Sequence, residues 1–352
     1  MKITANNGTA LFDHNGRLFT VTFHRTLRLP EDGKTHELPP SLGTFPVKLV
    51  DDYKGKVPAS WAEHGGVFIP LHAREALWLG FGGTECAVKV AAGKINAVNG
   101  KPWAQPMVAG VEDYMVAPSP QLWLDGFNAG IGIIKQFVAM PMGMGYTVEG
   151  QLTGEEKFGG LQLLVVPPKP GRIPDPPPPI LRSASFGGGL GQSFDDSGQS
   201  FGSHTSISCS MNADQSFKPL SAFLANAEMG LAAGGTMTQK VYPDPHGIDV
   251  WDQTAAGRLY VHIVNAEMYE AITGEKPPAM PISAQQYVGP YFGLQDGLMG
   301  NVAPSEELSK LVKTVGEKDK EHGFTGQQDD SPVSEPNVVV YSSTATVRYG
   351  TW

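Results

Sequence analysis

Three observations predict a mainly β protein. Glycine and proline supply 43 and 29 of the 352 residues, a fifth of the chain, against roughly 12% in an average domain. Charged residues make up 17%, against roughly 25%, so long solvent-facing helices are scarce. Short apolar runs alternate at period two between turn signals, and no helical period is sustained before residue 160. The length exceeds one typical domain of roughly 100–200 residues. The expected architecture is therefore an N-terminal β-sandwich or barrel-like domain over 1–166, a Pro-rich then Gly/Ser-rich linker over 167–210, a smaller α+β domain over 211–316, and a mobile loop with an extended C-terminal segment over 317–352.

The first hairpin joins 10–13 to 17–25 through Asn15-Gly16, a pair that tolerates the positive φ angles of a tight turn. In its second arm Phe19, Val21 and Phe23 alternate with Thr20, Thr22 and His24, the period of a half-buried strand. His24 reads there as a solvated or strand-paired histidine. Further strands are expected at 47–50, 67–70, 76–81, 87–91, 93–98, 114–117 and 121–124. Three more follow at 133–140, 146–152 and 161–166. Met142 and Met144 lie in the link Met140-Pro-Met-Gly-Met144. Thioethers are flexible and polarizable, so this link is a candidate contact surface, with core filling as the alternative. Trp61, Trp78, Trp103 and Trp123 are candidates for a sugar-binding face or for core anchors.

From Pro167 the chain reads PPKPGRIPDPPPP and then SASFGGGLGQSFDDSGQSFGSHTSIS. Neither half carries enough apolar surface to offset its ordering entropy. Phe186, Phe194 and Phe201 recur there in Ser-Phe pairs, as candidate weak contact points. Gly198-Gln-Ser200-Phe-Gly202 matches the nucleophile-elbow pattern, but the elbow needs a strand before it and a helix after it, and both flanks are low-complexity.

Beyond the tract, 219–233 reads as a helix, with Leu220, Phe223, Leu224, Ala227 and Leu231 in one stripe. A strand is expected at 258–264. Asn265 caps a helix that Gly274 ends, Ser283 with Gln286 forms a capping box, and Ser305 starts another helix. The segment 337–352 ends in Trp352, a candidate for pairing with a sheet edge. Asp244, His246 and Asp249 lie close enough in sequence to be weak metal candidates, yet no second histidine stands at a ligand spacing. No cofactor motif is present.

Three blocks, QFVAMPMGMGYTVEGQLTGEEKFGGLQL, YPDPHGIDVWD and ITGEKPPAMPISAQQY, resemble an uncharacterised group of bacterial proteins that share such blocks around a proline-rich joint. The resemblance covers most of residues 1–170 and 235–340. It implies no assigned activity and carries over no site residues.

The net charge of −9, with no basic block, argues against a nucleic-acid partner. Cys86 and Cys209 are the only cysteines and read as free thiols in a reducing compartment. The first residues, MKITANNG, lack the apolar core of a signal peptide, and no apolar run reaches the roughly 18 residues of a membrane span. Cytoplasmic residence is the expectation, with leaderless export left open. The function expected is non-catalytic binding or self-assembly, with another protein or a second copy as partner. The alternatives are a glycan hydrolase, drawing on Glu149, Glu155, Glu156, Asp244 or Asp249, and a leaderless membrane-active factor.

Overall fold

A computed structural model of the chain describes residues 1–174, 228–284, 286–287, 289–291 and 300–324. Its first strands are β1 (Lys2–Asn6), β2 (Thr9–His14), β3 (Arg17–Thr26), β4 (Thr35–His36), β5 (Ser41–Thr44), β6 (Lys48–Leu49), β7 (Val67–Leu71), β8 (Ala76–Gly83) and β9 (Cys86–Ala92). Then come β10 (Ile95–Asn96), β11 (Met115–Ala117), β12 (Trp123–Leu124), β13 (Gly126–Gly130), β14 (Ile133–Pro141), β15 (Leu161–Val166), β16 (Glu228–Thr238) and β17 (Gly257–Asn265). Among the described residues four short α-helices decorate them: α1 (Ala59–His64), α2 (Val148–Thr153), α3 (Ala266–Thr273) and α4 (Val315–Glu321), with one π turn at Glu307–Leu311.

The protein is mainly β, and its pairings form one hydrogen-bonded network with two arms. One arm runs β1–β2–β3–β8–β14–β16, antiparallel throughout. The other runs β11–β9–β15–β17, with β7 added in parallel beside β17. The arms join where Glu228 and Met229 of β16 meet Val264 and Ile263 of β17. Alternate residues of both arms share one interior. Phe19, Val21 and Phe23 of β3, Leu77 and Leu79 of β8, Val88 and Val90 of β9, Leu161 and Leu163 of β15, and Val261 and Ile263 of β17 belong to a single buried cluster. Burying such side chains stabilises by roughly 1.5–3 kcal/mol each.

Much of the outer surface is covered as well. Trp251, Ile173 and Val250 pack over β9 and β15. Tyr146 and Val315 pack over Ala76, Val138 and Ala232. Trp61 and Tyr269 pack over Phe68 and Val264. These covers are held by polar anchors. Arg74 donates twice to Asp319 at 2.7 Å, and the Tyr146 hydroxyl donates to the same carboxylate, which seats α4. Lys135 donates to the carbonyls of Leu308, Ser309 and Val312, which seats the π turn. Lys89, fully buried on β9, donates to Ala104, Pro106 and Asp113, which ties down the 101–113 loop.

Several expectations hold. The first hairpin, the strands near 67–70, 76–81, 87–91, 133–140, 161–166 and 258–264, and the helix after Asn265 are all present. Asn265 accepts from Glu267, and Gly274 ends the helix at φ 78°. Ser283 and Gln286 exchange both capping-box bonds.

Others are corrected. An independent α+β body over 211–316 does not form among the described residues. β16 pairs along the length of β14, β17 pairs with β15 and β7, and Met229, Leu259, Leu308 and Val312 lie in the same buried cluster as Phe19. The proline-rich stretch begins as part of this body too: Pro168 bridges to Trp251, and Ile173 is buried. The helix expected over 219–233 is strand from Glu228 onward, where all of Gly230 to Gly235 but Leu231 are glycine or alanine packed on both faces, which leaves no true stripe. The strand expected over 146–152 is α2, capped by Thr147, which accepts from the Gly150 amide. The loop expected from 317 opens with α4, whose Thr314 and Glu317 form a capping box. Residues 175–227 and 325–352 lie outside the described residues, and with them the expected contact residues Phe186, Phe194, Phe201 and Trp352 and the elbow at Ser200.

Candidate ligand-binding groove

One part of the sheet surface has no cover among the described residues. On the outer face of β3 stand Thr20, Thr22 and His24. Their partners on β8 are Gly82, Gly80 and Trp78. With Leu122 and Trp123 of the neighbouring segment they line an open groove of about 340 Å³. Trp123 sits opposite Gly80 in the β12–β8 pairing. Leu122 is 53% exposed.

The two glycines shape the floor. A Cβ on Gly80 would come within 2.9 Å of His24 Nε2 and 3.1 Å of Trp78 Cζ3. One on Gly82 would come within 2.8 Å of Thr20 Oγ1. Their missing side chains let the larger neighbours lie down across the sheet. His24 and Trp78 consequently stack with ring centroids 3.8 Å apart and planes 8° apart. His24 is fixed by a 2.9 Å hydrogen bond between Nδ1 and the Ser41 hydroxyl. Burial pushes its pKa down to about 4, so the ring is neutral at physiological pH. The Thr22 and Thr9 hydroxyls are 2.9 Å apart and bonded to each other. The Trp78 Nε1–H is shielded from solvent and has no partner among the described residues. None of the described residues that line the groove carries a charge.

The backbone here is already spent. β8 is paired with β3 along one edge and with β14, then β12, along the other, and the Phe81 amide donates to the Leu122 carbonyl. The groove therefore offers ring faces, aliphatic surface and hydroxyls, and no free strand edge.

The other sequence candidates fall elsewhere. Of the four tryptophans weighed as a sugar face, the structure brings Trp78 and Trp123 together. Trp61 is the buried side chain of α1, packed against Phe68, and Trp103 packs with the Trp251 cover. Met142 is 6% exposed and Met144 is half-buried against Tyr146 and its neighbours. Met142 therefore fills space in the core, while Gly143 is exposed and Met144 stays partly so. A Cβ on Gly159 would strike the Met142 sulfur at 2.4 Å, which reflects how tightly it is enclosed.

Asp244, His246 and Asp249 do not converge. Asp244 accepts from the Tyr114 hydroxyl at 2.7 Å, from Trp251 Nε1 at 2.8 Å and from the His246 amide at 2.8 Å. His246 Nε2 lies 2.8 Å from Glu85, and Asp249 is exposed. Among the described residues no three His, Cys, Asp or Glu side chains come together as a metal set. Asp244 also edges a smaller cleft of about 220 Å³ with Tyr114, Val108 and Val111, but its carboxylate is committed to holding the loop.

The acidic residues considered for hydrolysis are mostly committed too. Glu149 accepts from the amides of Lys157, Phe158 and Gly159, each at 2.9 Å, while burial pushes its carboxyl above the usual range. Glu156 accepts from the amides of Gly143, Gly145 and Thr147 and from the Thr147 hydroxyl. Glu155 is exposed beside Lys157. Cys86 is buried, and its thiol is pushed up to about 12, which makes it inert at neutral pH.

The groove residues missed in sequence are the glycines and threonines. The available signal was Gly80 and Gly82 at alternate positions within an apolar strand, since glycine there marks close approach.

Compared with protein-family models, curated proteins and solved structures, the chain matches none. This accords with the resemblance to a group of no assigned activity and lends no residue roles to the groove. No helix among the described residues is long and apolar enough to cross a membrane.

Proposed function

We propose that this protein is a non-catalytic binding protein whose ligand lies in the β3–β8 groove. One observation carries the proposal. While loops and helices cover the sheet over β9, β14 and β17, the stretch bearing Trp78, Trp123 and Thr20 is left open by the described residues and is flattened by two glycines. An apolar concavity with a few placed polar groups is the usual form of a ligand site. The engagement of Glu149, Glu156 and Asp244 by loop donors supports binding without turnover. Cytoplasmic residence and self-association, both expected from sequence, stay part of this proposal.

The test is a ligand-observed NMR screen of the full chain against neutral and charged compounds. Hits should vanish in a Thr20→Tyr variant, which lays a ring across the floor, and persist in Glu270→Tyr on α3. Hits indifferent to Thr20→Tyr would defeat the groove assignment. Conversion of a hit to product would defeat the non-catalytic part.

A further inference from the structure

Resting on that reading, we infer that the groove takes a neutral glycan chain, its rings laid against Trp78 and Trp123 and its hydroxyls met by the threonines of β3. The inference proceeds by matching groups. Nucleic acid, an acidic peptide or a phosphorylated headgroup needs cationic partners, and the described lining has none. An extended peptide adds to a sheet through a free edge, and both edges of β8 are taken. A purely alkyl ligand would bury the Thr20 hydroxyl without a partner, at a cost of roughly 1–3 kcal/mol.

A sugar ring meets each of these conditions. It carries no charge. Its C–H face is weakly positive and suits the negative face of an indole. Its hydroxyl rim both donates and accepts, as a threonine does.

The surface also continues beyond the aromatic end. Gly82 is opposite Thr20, Thr20 is opposite Leu11, and Leu11 is opposite Thr4. Thr22 is likewise opposite Thr9. All four threonines are half-buried side chains on one face. From β8 to β1 the row crosses three strand spacings, about 14 Å. That length suits an oligomer better than a single sugar.

The experiment titrates the full chain with cellohexaose, chitohexaose and maltohexaose, and with heparin and polygalacturonate as anionic controls. Calorimetry and tryptophan fluorescence are the readouts. At least one neutral hexamer should bind saturably at micromolar to millimolar concentration. Thr20→Val and Trp123→Phe should each weaken it at least fivefold, with circular dichroism and Tm unchanged, and affinity should be level from pH 6 to 8. Absence of neutral-glycan binding, binding of the anionic polymers alone, or indifference to both substitutions overturns the inference.

A second arm separates this failure from failure of the groove itself. In a Thr20→Cys, Cys209→Ser background, the new thiol should react with a maleimide nearly as fast as an unfolded peptide thiol. Fast labelling without glycan binding discards the glycan and keeps the groove. Slow labelling means the face is covered and discards both. Dependence on dilution then identifies a second copy as the cover, and independence identifies the chain itself.

Discussion

Replacing Asp125 by asparagine should stabilise this protein, and only above acidic pH. Asp125 lies between β12 and β13 and is 2% exposed. Its Oδ2 accepts from the Gln239 amide at 2.8 Å, and its own backbone N–H donates to the Gln239 carbonyl oxygen at 3.0 Å. Burial pushes its pKa from 3.8 up to about 7, with the Gln239 hydrogen bond opposing the shift. The folded state thus holds this proton more tightly than the unfolded chain does. Stability declines as pH rises from about 3.8 to about 7 and is level beyond. Three pKa units at 1.36 kcal/mol each put the loss at about 4 kcal/mol. Asparagine keeps the shape and the acceptor oxygen and has no proton to lose. Urea titrations of both proteins at pH 4, 5, 6, 7 and 8 should start close together. They should separate steadily, with the variant ahead by up to about 4 kcal/mol at pH 8. A constant gap at every pH, or a less stable variant at pH 8, would refute burial of an isolated carboxyl.

Four further outcomes are expected. Lys89→Met leaves Asp113 buried without its cation, and should cost about 3–5 kcal/mol in urea unfolding, with much of it recovered by adding Asp113→Asn; an innocuous Lys89→Met would contradict the buried pair. Arg74→Met removes both charged hydrogen bonds to Asp319, should cost about 1.5–3 kcal/mol, and should open residues 313–324 to limited proteolysis. His262 is fully buried, donates from Nε2 to the Gly65 carbonyl, and has its pKa pushed down to about 3 by that burial. Imidazole NMR should therefore find it neutral at pH 5, and its contribution to stability is lost as pH falls from 6.5 toward 3. Cys86 should resist thiol reagents until denaturant is added.

The strands that could be read in sequence are those whose apolar residues alternate or run together between turn signals, whether their second face is half-exposed, as in β3, or covered, as in β17. Phe19, Val21 and Phe23 against Thr20, Thr22 and His24 is the clearest, and Leu259, Val261 and Ile263 of β17 follow it. Helix α3 was legible from its two ends, Asn265 and Gly274. β16 was not legible. Apart from Leu231, Gly230 to Gly235 are glycine or alanine, so neither a two-residue nor a 3.6-residue period emerges, and what fixes that strand is the close approach of β14. α2 was hidden because Tyr146, Val148 and Gly150 imitate alternation, while the Thr147 cap that decides the matter is a single residue. The groove was half legible. Trp78 and Trp123 stood out as candidates, but 45 positions separate them, and only the β8–β12 register places one beside the other. The glycines acquire meaning only from what lies over each, the His24 and Trp78 rings at Gly80 and the Thr20 hydroxyl at Gly82.

The order in which the strands arrive has a consequence for biosynthesis. β15 is made early yet has β9 on one edge and β17 on the other, and β7 waits for the same late partner. A nascent chain emerging from a ribosome would carry those edges bare until residue 265 clears the exit tunnel. Contacts so distant in sequence make for slow folding and a sticky intermediate, so shortening the span between Ile173 and Glu228 should speed refolding and raise soluble yield.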